Sequence, residues 1–312
     1  MRVVNAAEID RLLDYPGLIA AIREAFAGAV VAPVRHHHRI PRPGAEAILI
    51  LMPAWQEGQP GGFIGVKVVS VFPDNAVRAK PSVMGTYLLL AGDSGEPLAT
   101  LDGVALTLWR TAATSALVSD TLARPDASRL AMIGAGALAP RLIAAHASVR
   151  PITHVTIWNR SRDKAERLAQ MLTRPDLTVT ASDDLHSTIA EADIVSVATL
   201  AKEPLVKGAW LKPGAHVDLV GAYTPEMREA DDDAIRRATV YVDTRGGMKE
   251  SGDIAQPLAS GALTEAAIAG DLYDIARAEG VLRRSVDEIT LFKSVGNAIE
   301  DLAAAIAVWR KL

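Results

Sequence analysis

The stretch Leu130-Ala-Met-Ile-Gly134-Ala-Gly136-Ala-Leu-Ala139 constrains the fold more than any other part of this chain. Four apolar residues run directly into two glycines, an alanine closes the spacing G-x-G-x-x-A, and an Ala-rich apolar run at 141–147 follows. The order is strand, tight turn, helix. This order suits a dinucleotide. The first glycine permits the turn, the second lets the backbone approach a pyrophosphate, and the small third residue lets helix pack on strand. The helix N-terminus then faces the phosphate charge. Gly134, Gly136, Ala137 and Leu138 are therefore candidate cofactor contacts.

From Arg129 onward, apolar runs and helical patterns alternate as a parallel sheet requires. Strands are predicted near 130–133, 154–158, 177–180, 193–198, 216–220 and 240–243, with helices near 138–148, 162–172, 185–191 and 226–237. Six strands with the glycine turn after the first give the doubly wound order of a dinucleotide domain. The second strand ends in Trp158-Asn159-Arg160-Ser161-Arg162, where NAD-preferring sites carry an acid for the ribose 2'-hydroxyl. No acid is there. Arg160, Arg162 and Ser161 suit a 2'-phosphate instead, so NADP(H) is the expected cofactor and NAD(H) the second candidate. The alternative is a solvated helix start, but two arginines at that end oppose the helix dipole unless an anion is nearby.

The preceding residues read differently. Residues 7–30 show helical periodicity interrupted at Pro16, and 34–40 form a strand entering a loop at Pro41, Pro43 and Gly44. The β-rich runs 46–53, 62–72 and 83–90 make a sheet module. In the run His36-His37-His38 only His36 and His38 share a face, and no neighbouring carboxylate has ligand spacing, so no metal site is expected. These histidines hydrogen-bond in a site or stand at its mouth. Lys67 sits mid-strand among apolar residues and needs an anionic partner, unless the strand is an edge facing water or a structural acid. Arg110 enters a helix of small residues after the turn at Asp102-Gly103. Its planar fork suits a ligand carboxylate or phosphate, and equally a buried protein acid. The residues alone leave both questions open.

At 312 residues the chain suits two domains, and a net charge of −4 gives no basic field for nucleic acid. The absence of cysteine excludes disulfides and thiol chemistry. Apolar stretches are broken before reaching the length of a membrane span, and no secretory pattern opens the sequence, so a cytoplasmic protein is expected. The segment 287–301 leads into an Ala-rich terminal helix with an apolar face at Val295, Ile299, Leu302 and Ile306. This helix is expected to cross back to the N-terminal module, leaving a cleft between the domains. Lys293 and Ser294 at its start would reach a ligand or cap the helix.

The motifs Pro33-Val-Arg35, Gly65-Val-Lys67, Arg110-Thr-Ala-Ala, Gly134-Ala-Gly136, Trp158-Asn-Arg-Ser161, Lys212-Pro-Gly-Ala-His and Leu291-Phe-Lys-Ser-Val-Gly296 together resemble the ornithine cyclodeaminase/mu-crystallin family over nearly the whole length. The resemblance implies an α/β fold in which a Rossmann domain, 119–289, is inserted into a second α+β substrate and dimerisation domain, 1–118 plus 290–312. It implies a homodimer. It also implies that Arg35, Lys67 and Arg110 surround a substrate carboxylate and that Ser294 helps hold the cofactor. Thr199 and Val220, at the ends of the fourth and fifth predicted strands, complete the cofactor candidates with Asn159, Arg160 and Ser161.

One departure from the family pattern bears on chemistry. Cyclodeaminases of the family resemble one another in an Asp two residues before a Pro-Gly-Lys turn, used in deamination and ring closure. Here the place is taken by Val220-Gly-Ala-Tyr223-Thr-Pro225-Glu-Met. A phenol cannot replace a carboxylate as a base near neutral pH, and Asp218 lies five residues before Tyr223, inside the strand. This turn resembles the branch that reduces Δ1-pyrroline-2-carboxylate and Δ1-piperideine-2-carboxylate. The expected activity is NADPH-preferring reduction of these cyclic ketimines to L-proline and L-pipecolate. Arg35 and Arg110 would clamp the carboxylate and Lys67 would pair with it or stand near the imine. His38, Thr86 and Tyr223 would shape the ring pocket. The alternatives are an ornithine cyclodeaminase, an alanine dehydrogenase-like enzyme, and a non-enzymatic NADPH- and ligand-binding protein as in mu-crystallin.

Overall fold

Local caps fix where the chain starts its first helices. After strand β1 (Arg2–Val4), helix α1 (Ala6–Leu12) opens on a capping box in which Asn5 Oδ1 accepts from Glu8 N–H and the Glu8 carboxylate accepts from Asn5 N–H. Asp14 caps α2 (Tyr15–Ala27), and Pro16 falls in its first turn, where a missing N–H costs nothing. There follow β2 (Val30–Val31), β3 (His36–Ile40), β4 (Ala47–Gln56), β5 (Phe63–Val71), β6 (Val83–Ala91), β7 (Pro97–Asp102) and helix α3 (Gly103–Leu122). Asp102 Oδ1 accepts from the amides of Val104 and Ala105, which starts α3 at the Asp-Gly turn.

This computed structural model describes residues 1–58, 60–78 and 80–312. The chain divides into one unit of Met1–Thr111 with Asn297–Leu312 and a second of Ala112–Gly296, and α3 runs across the division.

In the second unit, β8 (Arg129–Ile133), α4 (Ala139–Val149), β9 (His154–Trp158), α5 (Arg162–Leu172), β10 (Thr178–Ser182), α6 (Leu185–Ala190), β11 (Ile194–Val197), β12 (His216–Leu219), α7 (Asp232–Arg237), β13 (Ala238–Val242), α8 (Gly252–Ser260), β14 (Ile268–Gly270), α9 (Leu272–Arg277) and β15 (Ile289–Lys293) follow in turn. All eight strands are parallel, in the order β10-β9-β8-β11-β12-β15-β13-β14. The chain's last strand, β15, is slotted between β12 and β13, an insertion that the six-strand expectation does not contain. It belongs to the Rossmann-type sheet because its backbone hydrogen-bonds on both edges within it. The predicted helix at 226–237 is confined to α7. Asp253 Oδ1 takes the amides of Glu229 and Ala230, and Asp231 takes those of Gly208 and Ala234, so the backbone turns helical only after Asp231.

The final helix, α10 (Ala298–Trp309), returns to the first unit and packs on β4, β5, β6 and α2. It is buried on all sides rather than along one stripe, from Ala298 through Ile306. The first unit's sheet is mixed, in the order β1-β7-β6-β5-β4-β2, with β3 also paired to β4. β1 runs parallel to β7 and the remaining pairs are antiparallel. Lys67 faces Met52 and Tyr87 across the strands, and all three are buried. Successive strand residues point to opposite faces, so Leu51, Val68 and Thr86 share the other side. That face carries partly open apolar side chains, with Val68 38 % and Met84 40 % exposed. Among the described residues no helix is long and apolar enough to cross a membrane.

Candidate functional site

In the first unit, four charged side chains meet in the core. The Lys67 ammonium lies 2.6 Å from Asp301 Oδ2, Arg110 Nε donates to Asp301 Oδ1 at 3.0 Å, and Arg110 Nη1 donates to Glu300 Oε2 at 2.6 Å. Both acids are fully buried and both cations nearly so. The first turn of α10 positions the acids. Asn297 accepts from Ile299 N–H, and Glu300 Oε1 accepts from Asn297 N–H, leaving its other oxygen for Arg110. One short motif therefore caps the helix and orients a guanidinium.

The acids orient these cations without using up their donors. Arg110 spends Nε and one Nη1 proton, and Nη2 makes no hydrogen bond among the described residues. Lys67 has three protons and, among the described residues, one acid within ion-pair distance. Burial pushes the Lys67 ammonium down, Asp301 opposes that, Arg110 adds to it, and the outcome is about 8. Burial also works against the charge on Arg110, but Asp301 and Glu300 overcome it and keep the guanidinium protonated. A lysine that gives up its proton near neutrality, beside an arginine with a free edge, can bind a carboxylate and deliver a proton.

The buried-acid reading of Arg110 describes what its side chain touches, and the partners Glu300 and Asp301 were absent from the candidate set. The sequence signal for them was two adjacent acids, Glu300-Asp301, inside a run otherwise made of Ala, Ile and Leu. Arg35 lies half-buried just ahead of β3. His36 and His38 stand exposed on one face of β3, opposite Leu51 and Leu49, with ring centroids 6.4 Å apart. No group of three His, Asp or Glu among the described residues is arranged to hold a metal. Thr86 is not brought beside Lys67, because it leaves the sheet on the opposite face from Tyr87, the direct neighbour of Lys67. The Tyr87 hydroxyl is buried, finds no hydrogen-bond partner among the described residues, and presses on Gly65, where a Cβ would stand 1.9 Å from it.

In the second unit the glycine turn has the geometry a dinucleotide needs. Gly134 has φ +111°, and a Cβ there would meet the Ala198 carbonyl at 2.5 Å, so no other residue fits. At Gly136 a Cβ would meet nothing within 4 Å, so the protein leaves open space over that backbone. Helix α4 has Leu138 as an N-cap without a side-chain cap; Ala139 N–H donates to the Gly136 carbonyl and Pro140 carries no N–H, so the helix offers an anion its positive end rather than its first two amides. These residues fit the pyrophosphate of a bound dinucleotide. Asn159 braces the turn, since its Oδ1 accepts from Ala135 N–H at 3.2 Å while its amide donates to the Ser161 carbonyl. Arg162 is engaged by Glu166 and Asp183, each at 2.7 Å. Arg160 is exposed and, among the described residues, makes no ion pair or hydrogen bond.

The remaining candidates lie at strand ends or beyond them. Thr199 follows β11, and both its amide and its hydroxyl donate to Glu229. Val220 follows β12 directly, its amide donating to the Val197 carbonyl. Ser294 is buried after β15, in a turn braced by Asp243, whose Oδ2 accepts from the amides of Val295 and Gly296. Tyr223 is 50 % exposed in the loop beyond β12. Asp218 faces away from any such role. Its buried carboxylate is taken by Ser115, Ser196 and His146. Burial works to raise that carboxyl, and the His146 and Ser196 contacts hold it below its usual range.

An all-parallel sheet with a glycine turn after β8, carried in one chain with a mixed sheet that buries a lysine–arginine–diacid cluster, defines a two-unit, dinucleotide-binding class of α/β protein. The chain belongs to the ornithine cyclodeaminase/mu-crystallin family, whose sequence model it matches over residues 1–312. The family includes NAD(P)-dependent oxidoreductases acting on imino acids. The chain is 42 % identical to an uncharacterised protein of Schizosaccharomyces pombe, with 96 % of this chain and 93 % of that protein aligned. It is 37 % identical to a Δ1-pyrroline-2-carboxylate reductase of Colwellia psychrerythraea, aligned over 100 % and 99 % of the two chains. Its fold is similar to that of Thermococcus litoralis Δ1-pyrroline-2-carboxylate reductase in complex with NADH and L-proline. There the TM-score is 0.92 and the identity 31 %, covering 100 % of this chain and 97 % of that one.

Proposed function

We propose that this protein reduces small cyclic ketimines, Δ1-pyrroline-2-carboxylate and Δ1-piperideine-2-carboxylate, to L-proline and L-pipecolate. The observation that carries this reading is the buried Lys67–Asp301 pair beside Arg110, which joins a proton donor working near neutral pH to a carboxylate-binding edge. Lys67 protonates the ring nitrogen, making C2 a hydride acceptor. A bound nicotinamide cofactor supplies the hydride. The imine nitrogen's lone pair forms the new N–H with the Lys67 proton, the hydride forms the new C2–H bond, and the C=N π pair becomes the lone pair of the amine. Arg110 presents its free Nη2 edge to the substrate carboxylate. Lys67, Arg110, Glu300 and Asp301 sum to zero charge, so a bound carboxylate calls for one more cation, the role assigned to Arg35. Holding the iminium at contact distance supplies most of the acceleration, because it is intrinsically reactive toward hydride.

The turn at 220–225 supports reduction over cyclodeamination, because its exposed Tyr223 offers no base in place of the family's aspartate and the nearby Asp218 is committed to the core. Relatives named as Δ1-pyrroline-2-carboxylate reductases support the same reading. Arg160, exposed beside the end of β9 and without an ion pair among the described residues, supports a preference for NADPH with NADH also used. His38 and Tyr223 are assigned to the rim of the substrate site, and Thr86 lies on the face opposite Lys67. The open face of the mixed sheet supports a homodimer, which light scattering tests. The activity is tested by NADPH oxidation with each imine, run beside ornithine plus NAD with ammonia detection. Rapid oxidation with an imine and no ammonia from ornithine supports the reductase. Ammonia and proline from ornithine would replace it by a cyclodeaminase.

A further inference from the structure

We propose that Glu229 is a positioning residue for the nicotinamide half of the cofactor, holding the loops after β11 and β12 together as one surface. The proposal rests on the dinucleotide reading of the second unit. In that sheet β9 lies on one side of β8 and β11 on the other, so the strand order reverses at β8. A dinucleotide crosses such a switch point with its pyrophosphate at the glycine turn and its two halves on opposite sides. Arg160, after β9, marks the adenosine side. The nicotinamide half then falls at the carboxyl ends of β11 and β12.

Those two ends are joined by one carboxylate. Glu229 Oε1 accepts from Thr199 N–H and from Thr199 Oγ1, each at 2.8 Å, and Oε2 accepts from Gly221 N–H at 2.8 Å and Ala222 N–H at 3.3 Å. The loops touch backbone to backbone, since a Cβ on Gly221 would stand 2.0 Å from the Thr199 carbonyl oxygen. Glu229 is itself held from behind. Its amide and that of Ala230 donate to Asp253 Oδ1 at 2.7 and 3.1 Å, and Lys293 Nζ lies 3.2 Å from Asp253 Oδ2 and 3.9 Å from Glu229 Oε2. Glu229, Asp253 and Lys293 are all buried.

A glutamine has the shape of Glu229 and fails at its task. Only one of its terminal atoms accepts, and its amide group would confront N–H donors on the other loop. Burial pushes the Glu229 carboxyl upward, Lys293 opposes this and Asp253 reinforces it, while the Thr199 donors favour the charged form. A buried acid with two such neighbours is costly, and its four donors belong to the two strand-end loops alone. Shaping those loops is therefore its specific effect.

The test measures binding in the absence of substrate, with NADPH and with 2'-phospho-ADP-ribose, which lacks the nicotinamide. Glu229→Gln should weaken NADPH by about tenfold or more and leave 2'-phospho-ADP-ribose unchanged, as loss of one charge-assisted hydrogen bond to a loop predicts. Thr199→Val should act in the same direction, and Thr199→Ser should restore binding, which decides the matter if the Glu229 variant does not fold. Equal loss of both ligands, or loss of neither, would overturn the assignment, as would a wild-type protein that binds no NADPH. A wild-type protein that binds NADPH but reduces no imine would remove the proposed activity and leave this positioning role standing.

Discussion

Asp301 holds both cations of the first unit at once, with one oxygen 2.6 Å from the Lys67 ammonium and the other 3.0 Å from Arg110 Nε. Replacing it by asparagine removes the charge that chiefly opposes the effect of burial on Lys67 and leaves Glu300 alone to offset Lys67 and Arg110. Asp301→Asn should destabilise the fold by about 3–5 kcal/mol, the usual consequence of taking one partner from a buried pair. It should also lower the Lys67 titration below that of the wild type. Denaturant unfolding and a pH–rate profile of the variant check both effects, and an unchanged profile would separate Asp301 from the function of Lys67.

The protonated form of Lys67 is the active one in this account. Because burial brings its titration to about 8, kcat/KM should be level below that pH and fall as pH rises through it. Lys67→Met, which keeps the bulk and loses the proton, should lower kcat by about 10²–10⁴ and abolish that alkaline limb. A limb that persists in the variant would assign the titration to another group.

Arg35 is half-buried just ahead of β3 and is the third cation assigned to the substrate carboxylate. Arg35→Ala should raise the KM for the imine by about tenfold or more, the effect of losing one charged contact to a carboxylate. Cofactor affinity should not change. An unaltered KM would leave neutralisation of the substrate carboxylate to Lys67 and Arg110.

Arg160→Ala should weaken NADPH by about 10- to 100-fold and NADH little, because only NADPH carries the 2'-phosphate. Arg162→Ala should do less, since its guanidinium is already shared by Glu166 and Asp183. Dissociation constants from fluorescence titration distinguish the two arginines. An equal loss for NADPH and NADH in Arg160→Ala would remove the 2'-phosphate assignment.

What could be read from the sequence was what local physics dictates. Gly134 announces itself because its backbone conformation excludes side chains, and Lys67 and Arg110 because a charge among apolar neighbours demands a partner. The partners themselves were hidden. Asp301 lies 191 residues from Arg110 in sequence, and the expected return of the terminal helix to the N-terminal module does not say which of its residues meet Lys67 and Arg110. The place of β15 between β12 and β13 was hidden for the same reason, because strand order is a property of long-range pairing. Thr86 shows a finer limit. It is adjacent to Tyr87, and only the register opposite Lys67 reveals that the tyrosine, not the threonine, shares the lysine's face. Glu229 was missed because 226–231 has the composition of a helix start, and bonds to Asp253 and to the backbone at 201–206, distant in sequence, hold it out of helix.

The central claim, hydride transfer from a bound nicotinamide to C2 of a cyclic ketimine, is tested most directly by tracing the label. The protein is incubated with 4-deuterated NADPH and each imine in turn, and the product is analysed by mass spectrometry and NMR. The account predicts L-proline and L-pipecolate carrying deuterium at C2, with its loss from the cofactor matching product formed. Tight binding of NADPH with no labelled product from either imine would contradict it and leave a binding protein in its place.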